Sequence, residues 1–255
     1  MGSGEAREAA ERIEAIYGDD LVAADGVLHV AAVWGEAADR FRVLRIGPDS
    51  PRSATDEFAL GLARVRADAI LTTGRILRDE PDTTHALPGR EAGRLAAWRR
   101  ECRLRREPPL SVVLSSGREL DLGHPLFAQA RRALVLTTQQ GAARLAEPAR
   151  RRGVEVLARA RPGPRDSLAL LRERGFRSIS VEAGPSSARA LYEDPIAVDE
   201  LLLSVYRGAA PPDSVRGAAF PDPDRLRRHF YVPAPAWEVR EASGRWAFSR
   251  HLRRR

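Results

Sequence analysis

The segment RADAILTTGRILRDEP, residues 66–81, contains the strand from which the fold can be worked out. Its centre, Ala69–Thr73, is a short apolar run that Gly74 closes. This pattern is typical of a strand buried on both faces of a sheet. We therefore predict a buried strand over Ala69–Thr73, with its carboxyl end at Thr73 and Gly74.

Strand-like and helix-like segments alternate along the chain after Gly74. Further apolar runs end in small or polar residues, and helical patterns separate them. The predicted strands are Leu110–Leu114, Ala133–Thr137, Val154–Leu157, Ser178–Glu182 and Glu200–Tyr206. The predicted helices lie near Glu91–Arg106, Gly141–Arg151, Asp166–Arg174 and Ala188–Tyr192, the last of them capped by Ser186. This alternation predicts an α/β fold with a mostly parallel sheet and helices on both faces.

The chain before Ala69 contains two helical patterns and two strand patterns. Ser3 can cap a first helix over Glu5–Tyr17, and Ser53 with Asp56 resembles a capping box that opens a second one. Strands are predicted at Val27–Trp34 and at Phe41–Ile46. The apolar faces of the two helices consist of Ala9, Ile13, Ile16 and Tyr17 in the first and of Phe58, Leu62 and Val65 in the second.

The chain after Tyr206 changes character. A loop rich in Pro and Gly is predicted over Gly208–Pro223, followed by strand-like segments at Phe230–Val232, Trp237–Glu241 and Arg245–Arg250. The last two flank Ala242-Ser243-Gly244, which predicts a C-terminal antiparallel hairpin. We expect two parts: an N-terminal helical extension, residues 1–26, and one domain, residues 27–255.

Composition excludes several kinds of chemistry. The sequence has no Lys and no Asn, so all 42 basic residues are Arg. Lysine Schiff bases, a P-loop lysine and a Ser-Lys nucleophile pair are thereby excluded, as is a Cys-His-Asn triad. The five His residues are dispersed without metal-ligand spacing, so no metal site is expected. No G-x-G-x-x-G or G-x-S-x-G motif is present.

The net charge of +7 is concentrated in two segments. Residues Glu91–Glu107 carry six Arg and three Glu, which gives +3, and Arg245–Arg255 carry five Arg and no acid, which gives +5. We interpret these clusters as a solvated helix face and a basic tail, and a nucleic-acid partner is not expected. A single cysteine, Cys102, and the lack of an apolar run of about 20 residues predict a reducing, cytoplasmic setting without membrane insertion.

Small or hydroxylated residues follow four of the predicted strands. These strand ends are Thr72-Thr73-Gly74-Arg75, Ser115-Ser116-Gly117, Thr137-Thr138 and Glu182-Ala183-Gly184-Pro185-Ser186. Ligands of open α/β sheets bind at the carboxyl ends of the strands. Backbone N–H groups and hydroxyls at such ends suit phosphate or amide oxygens. We therefore predict a nucleotide pocket at this edge.

Three stretches together resemble a known family. They are residues 66–81, the segment SVEAGPS at 180–186 followed by VDEL at 198–201, and SGRWAFSR at 243–250. In this order they resemble the reductase domain of the bifunctional riboflavin-biosynthesis deaminase-reductase, which shares the dihydrofolate reductase fold. The resemblance covers about Val27 to Arg250. The zinc signature of the deaminase half has no counterpart, because a lone Cys102 cannot supply it.

The resemblance implies an NADPH-dependent reductase that acts on a phosphorylated pyrimidine-like substrate. It implies that the cofactor is lined by Thr73, Gly74, Ser115, Ser116, Glu182, Ala183, Gly184, Pro185 and Ser186. Arg75 or Arg78 would bind the substrate phosphate, and Asp79 would orient the substrate or handle a proton. A homodimer is also implied.

The residues themselves are also compatible with other functions. Thr72, Arg75 and Ala183 differ from the residues that the family usually has at these positions, which motivates a diverged, non-catalytic nucleotide-binding or partner-binding relative. A reductase of a pterin-like substrate is a further alternative. A Ser/His hydrolase is a weaker one.

Overall fold

The structure is a computed structural model that describes residues 4–22, 25–37, 40–87, 89–102 and 107–254. Within these residues, the strands are β1 (Gly26–Ala37), β2 (Arg40–Leu44), β3 (Ala69–Thr73), β4 (Leu110–Leu114), β5 (Ala133–Thr137), β6 (Glu155–Ala158), β7 (Ser178–Glu182), β8 (Glu200–Tyr206), β9 (Arg216–Ala219), β10 (Phe230–Tyr231), β11 (Trp237–Glu241) and β12 (Gly244–Arg253). The helices are α1 (Gly4–Tyr17), α2 (Ala54–Arg66), α3 (Gly74–Asp79), α4 (Ala92–Glu101), α5 (Pro125–Gln129), α6 (Gln139–Arg152), α7 (Pro164–Glu173), α8 (Pro185–Arg189) and α9 (Pro223–His229).

The strands form one mixed sheet in the order β10-β12-β8-β1-β7-β3-β4-β5-β6. Neighbouring strands from β8 to β6 are all parallel, whereas β12 runs antiparallel to β8, β10 and β11. The extension β2–β9 continues antiparallel from β1. The predicted α/β class, the parallel sheet and the C-terminal hairpin are confirmed.

Both faces of the sheet are covered. Apolar clusters cover these faces. Alternate residues of β8 point into two of them, one on each face, because Leu201 and Leu203 belong to one cluster and Leu202 to the other. The first cluster includes α7, and the second includes α1, α2 and α4. The predicted apolar faces of α1 and α2 are buried here, so α1 shares its core with the rest of the chain.

Local signals explain where the main helices begin and end. Ser53 Oγ accepts a hydrogen bond from the Asp56 N–H at 3.0 Å and caps α2, as predicted. Thr138 Oγ1 accepts one from the Gly141 N–H at 3.0 Å and caps α6. Helix α6 ends at Gly153, whose φ of +64° is a conformation that glycine adopts without strain.

Several local predictions were wrong. Residues 216–219 form the strand β9 inside the predicted loop, because they pair with β2 across a long sequence separation. Ser186 does not cap a helix, since α8 already begins at Pro185 with Gly184 as its cap. The short helices α3, α5 and α9 had not been predicted. The predicted cap Ser3 and residues 103–106 of the predicted Arg-rich helix lie outside the described residues.

Candidate functional site

The carboxyl ends of β3, β4 and β7 meet at one edge of the sheet. Thr72 of β3 lies opposite Glu182 of β7, and Thr73 lies opposite Leu114 of β4. The three strands are parallel neighbours, so the segments that follow them emerge side by side. The structure therefore brings Thr73, Gly74, Ser115 and residues 182–186 together at the edge where the pocket was predicted.

Gly74 and Ser115 close the space between the ends of β3 and β4. Thr73 Oγ1 accepts a hydrogen bond from the Ile76 N–H at 3.3 Å and starts α3. A Cβ atom on Gly74 would lie 2.8 Å from Ser115 Oγ and 3.0 Å from Ser115 Cβ. A side chain at position 74 would therefore force the Ser115 side chain to shift.

The loop after β4 rests on the first turn of α6. Ser115 Oγ accepts a hydrogen bond from the Gly117 N–H at 3.1 Å, which turns the chain. Gly117 has a φ of +76°, and a Cβ atom there would lie 2.6 Å from Gly141 Cα. Two glycines thus allow the loop and the helix to touch. Ser116, at the tip of this loop, is exposed to solvent.

The segment after β7 packs against α3. The Gly184 carbonyl accepts hydrogen bonds from the N–H groups of Ser187 and Ala188, both at 3.0 Å. A Cβ atom on Gly184 would lie 3.6 Å from Ile76 Cδ1, an ordinary contact. Ala183, Gly184 and Pro185 are partly exposed, and Ser186 is exposed. Backbone and small side chains therefore form this part of the edge.

Glu182 forms a bidentate ion pair with Arg64, which no sequence motif had indicated. Arg64 Nε donates to Glu182 Oε1 at 2.7 Å and Arg64 Nη2 to Oε2 at 2.6 Å. Burial alone would raise the pKa of Glu182, but the Arg64 charge outweighs it and the pKa is lowered. The carboxylate of this predicted cofactor residue is thus charged and already bound from α2.

A second carboxyl group and a neutral histidine lie close to this pair. Burial, together with the charges of Glu182 and Asp79, raises the pKa of Glu80 above its usual value. His85 Nδ1 lies 2.9 Å from Ser111 Oγ, and burial lowers the pKa of His85 to about 4. Arg64 Nη1 donates to the Ala86 carbonyl, which fixes the segment after α3 against α2. No sequence motif had pointed to Arg64, Glu80 or His85.

The predicted substrate-binding residues lie on the outer side of α3. Arg75 Nε is 3.4 Å from Asp79 Oδ2, and these side chains are 70% and 59% exposed. Arg78 Nε is 3.5 Å from Glu119 Oε2, also at the surface. Exposed ion pairs contribute little to stability, because water screens both charges. Both guanidinium groups can therefore turn toward an incoming anion at small cost.

Metal and membrane signals are both lacking in the part of the chain that the structure describes. No group of three or more His, Cys, Asp or Glu side chains there could hold a metal ion. None of the described helices is long and apolar enough to span a bilayer.

A parallel sheet of this order, an antiparallel C-terminal hairpin and a glycine-bearing edge define a dihydrofolate-reductase-like domain. The model of the RibD C-terminal domain family matches residues 23–206. The chain therefore belongs to the RibD C-terminal domain family. No curated protein matches the chain.

Solved structures of related proteins share this fold. A pyrimidine reductase-like protein from Corynebacterium diphtheriae is 22% identical with a TM-score of 0.65, and the match covers 91% of this chain and 92% of that one. RibD from Acinetobacter baumannii is 14% identical with a TM-score of 0.60, and the match covers 91% of this chain but 58% of that protein. The Saccharomyces cerevisiae riboflavin biosynthesis reductase Rib7 is 14% identical with a TM-score of 0.54, covering 96% of this chain and all of Rib7.

Proposed function

We propose that the chain is an NADPH-dependent reductase of a phosphorylated pyrimidine-like substrate, similar to 5-amino-6-(5-phosphoribosylamino)uracil reductase. The observation that carries the proposal is the meeting of the ends of β3, β4 and β7 at one edge. The family and the names of the related structures support the coarser reading, a pyrimidine reductase of riboflavin biosynthesis.

The residues at this edge fit a dinucleotide phosphate. Gly184 leaves backbone partly exposed, Gly74 lets the end of β3 approach Ser115, and Ser115 and Ser116 add hydroxyls. The exposed Arg118 supplies positive charge beside this loop without Lys. In the proposed complex, Thr73, Gly74, Ser115, Ser116 and residues 182–186 hold NADPH. When bound, the cofactor supplies a hydride from C4 of its nicotinamide.

The substrate phosphate is assigned to Arg75 and Arg78, whose planar guanidinium groups suit bidentate binding of phosphate. Arg75 exchanges its weak pair with Asp79 for the phosphate, which leaves Asp79 free to orient the substrate or hold a proton. This exchange replaces an exposed ion pair by a stronger charge-assisted contact.

Binding is tested by titrating the full chain with NADPH while nicotinamide fluorescence is followed. We expect saturable binding that Gly184→Ala weakens at least tenfold, because a methyl group there obstructs a ligand. The protein itself has room for that methyl group, so the unfolding free energy stays within about 0.5 kcal/mol. Gly47→Ala, in a surface loop, is the matched control. No fluorescence change at millimolar NADPH contradicts the proposal.

Turnover separates the reductase from its main alternative. Two contacts favour a non-catalytic nucleotide-binding or partner-binding relative. Arg75 already pairs with Asp79 and Glu182 with Arg64, so side chains assigned to the substrate and the cofactor have partners within the chain. The reductase oxidises NADPH when the phosphorylated ribosylaminopyrimidine is added and restores growth of a riboflavin-requiring bacterial strain. Saturable binding without either result supports the non-catalytic relative. Oxidation with dihydrofolate alone supports a pterin-like substrate.

We also propose a homodimer, which rests on the family resemblance. Tyr231, the last residue of the edge strand β10, and Val232 after it are 43% and 46% exposed and suit an apolar contact. Light scattering after size-exclusion chromatography at micromolar concentration should give twice the chain mass of 28.1 kDa. A mass of one chain contradicts this assembly.

A further inference from the structure

A cavity lies toward the amino ends of β3 and β4. Its volume is about 440 Å³, and its floor includes Ile70 and Ser111, the second residues of β3 and β4. The end of α2, α4 and α5 enclose it. At about 3.3 Å per strand residue, Ile70 lies roughly 13 Å from Gly74 at the proposed cofactor edge. The cavity therefore lies toward the opposite end of these strands, although Arg64, which lines it, binds Glu182 of the cofactor edge.

The lining of this cavity is basic. Arg64, Arg99, Arg100 and Arg131 line it, and no Asp or Glu does. Arg64 binds Glu182, and Arg99 donates to backbone carbonyls of Val65, Ala67 and Glu107. Within the described residues, the exposed guanidinium groups of Arg100 and Arg131 have neither an ion pair nor a hydrogen bond. Two cations are thus available at the mouth.

The walls between these cations are mostly apolar. Val65, Leu87, Leu126 and the pair Pro108-Pro109 contribute hydrocarbon surface. A cavity of a few hundred Å³ with apolar walls and a few polar groups is typical of small-molecule sites. His85 faces it while bound to Ser111, and adds a ring without charge at neutral pH.

We propose that this cavity binds a small organic anion, with an apolar ring in the cavity and a carboxylate or phosphate held by Arg100 and Arg131. Apolar walls select the ring, and planar guanidinium groups select the acidic head. The proposal does not depend on the proposed reductase function, because it uses none of the residues assigned to NADPH or the pyrimidine.

Isothermal titration calorimetry of the full chain with 2-naphthoate and with 2-naphthyl phosphate tests this site. We expect one binding site per chain, with the tighter ligand identifying the preferred head group. 2-Naphthol, which has the ring without the charge, should bind at least tenfold more weakly. Failure of both anions to bind at 5 mM overturns the proposal.

Variants locate the binding. The double variant Arg100→Gln/Arg131→Gln should weaken the affinity for the tighter-binding anion at least tenfold. The control double variant Arg227→Gln/Arg228→Gln removes the same charge from α9 and should change that affinity less than twofold. Ala96→Trp should abolish binding by filling the cavity, and Ala130→Trp is the second filling variant if the first fails to fold. Binding that survives a folded filling variant overturns the proposal.

A competition experiment separates this site from the cofactor edge. Saturating NADPH should leave the naphthoate affinity within twofold, because the two sites lie at opposite ends of β3 and β4. Displacement of naphthoate by NADPH overturns a separate site. Absence of NADPH binding would refute the reductase proposal and leave the anion titration unaffected.

Discussion

Arg64 and Arg66 of α2 are buried, and the guanidinium group of each binds a carboxylate of the sheet. Arg66 binds Glu200 through two bonds of 2.9 Å, and Arg250 Nε binds the same carboxylate at 2.8 Å. Buried pairs of this kind do not always stabilise a fold relative to apolar residues, but removal of one partner leaves a charge without compensation. The residues of each pair are therefore coupled.

Arg64→Met should lower the unfolding free energy by about 3–5 kcal/mol, because it leaves the Glu182 carboxylate buried and unpaired. The loss should fall sharply in the double variant Arg64→Met/Glu182→Gln, which removes the charge as well. Guanidinium unfolding of the four proteins gives this double-mutant cycle. Additive losses would mean that the pair is not coupled.

His29 makes stability depend on pH. It is buried on β1 with Nδ1 2.7 Å from the Tyr192 hydroxyl, and burial lowers the pKa of His29 from 6.5 to about 4. The unfolded chain therefore binds this proton more readily than the folded chain between these two values. Stability falls as the pH is lowered from about 6.5 toward 4.

His29→Gln should reduce this pH dependence. Between pH 7.5 and pH 5, we expect the wild-type unfolding free energy to fall by about 2 kcal/mol more than that of the variant. Gln can still bond to the Tyr192 hydroxyl, so the comparison isolates the titration. Equal falls in urea unfolding at the two pH values would refute the assignment.

At the scale of elements, glycines control how closely the loops at the sheet edge pack. At the β4–α6 contact, Gly117 has a positive φ. A Cβ atom on Gly117 would also lie 2.6 Å from the Cα atom of Gly141. At the β3–β4 contact, the atoms nearest to a Cβ on Gly74 belong to the Ser115 side chain, which can rotate or shift. Substitution at the two glycines should therefore have unequal effects.

Gly117→Ala should lower the unfolding free energy by about 2 kcal/mol or more, because the substitution adds backbone strain to a clash with main-chain atoms. Gly74→Ala should cost about 1–2 kcal/mol, and Ser115→Gly in the same chain should restore part of it. Chemical unfolding with Gly47→Ala as the reference measures both. A larger loss for Gly74→Ala would contradict this order.

At the scale of the whole molecule, α1 belongs to the central core. Ala9 and Ile13 are fully buried among residues of α2, α4 and β12. Asp19, just after α1, binds Arg250, which in turn binds Glu200 of β8. The N-terminal helix is thus tied to the sheet by both apolar and ionic contacts, although it precedes the residues that the family model matches.

Ile13→Ala should destabilise the entire chain by about 2–5 kcal/mol through a cavity in the shared core. Far-UV and near-UV circular dichroism should show one melting transition, shifted to the same lower temperature. Arg7→Ala, at an exposed position of the same helix, is the control and should change stability by less than about 0.5 kcal/mol. A separate early transition of α1 alone would contradict a shared core.

The sequence alone determined most of the longer elements and the edge at which the predicted site residues lie. Period, capping residues and turn residues act over a few neighbours, so β3 to β8 and the hairpin β11–β12 were predictable. Short helices such as α3 were missed because one or two turns carry too little periodic signal. The strand β9 was missed because its partner β2 is distant in the sequence.

The tertiary structure decided which side chains meet. Arg64 and Glu182 are 118 positions apart, and only the sheet order and the packing of α2 bring their charges together. The same packing places Glu80 and His85 beside them and encloses the basic cavity below. Such contacts depend on the free energy of the whole packed core, which no local pattern encodes.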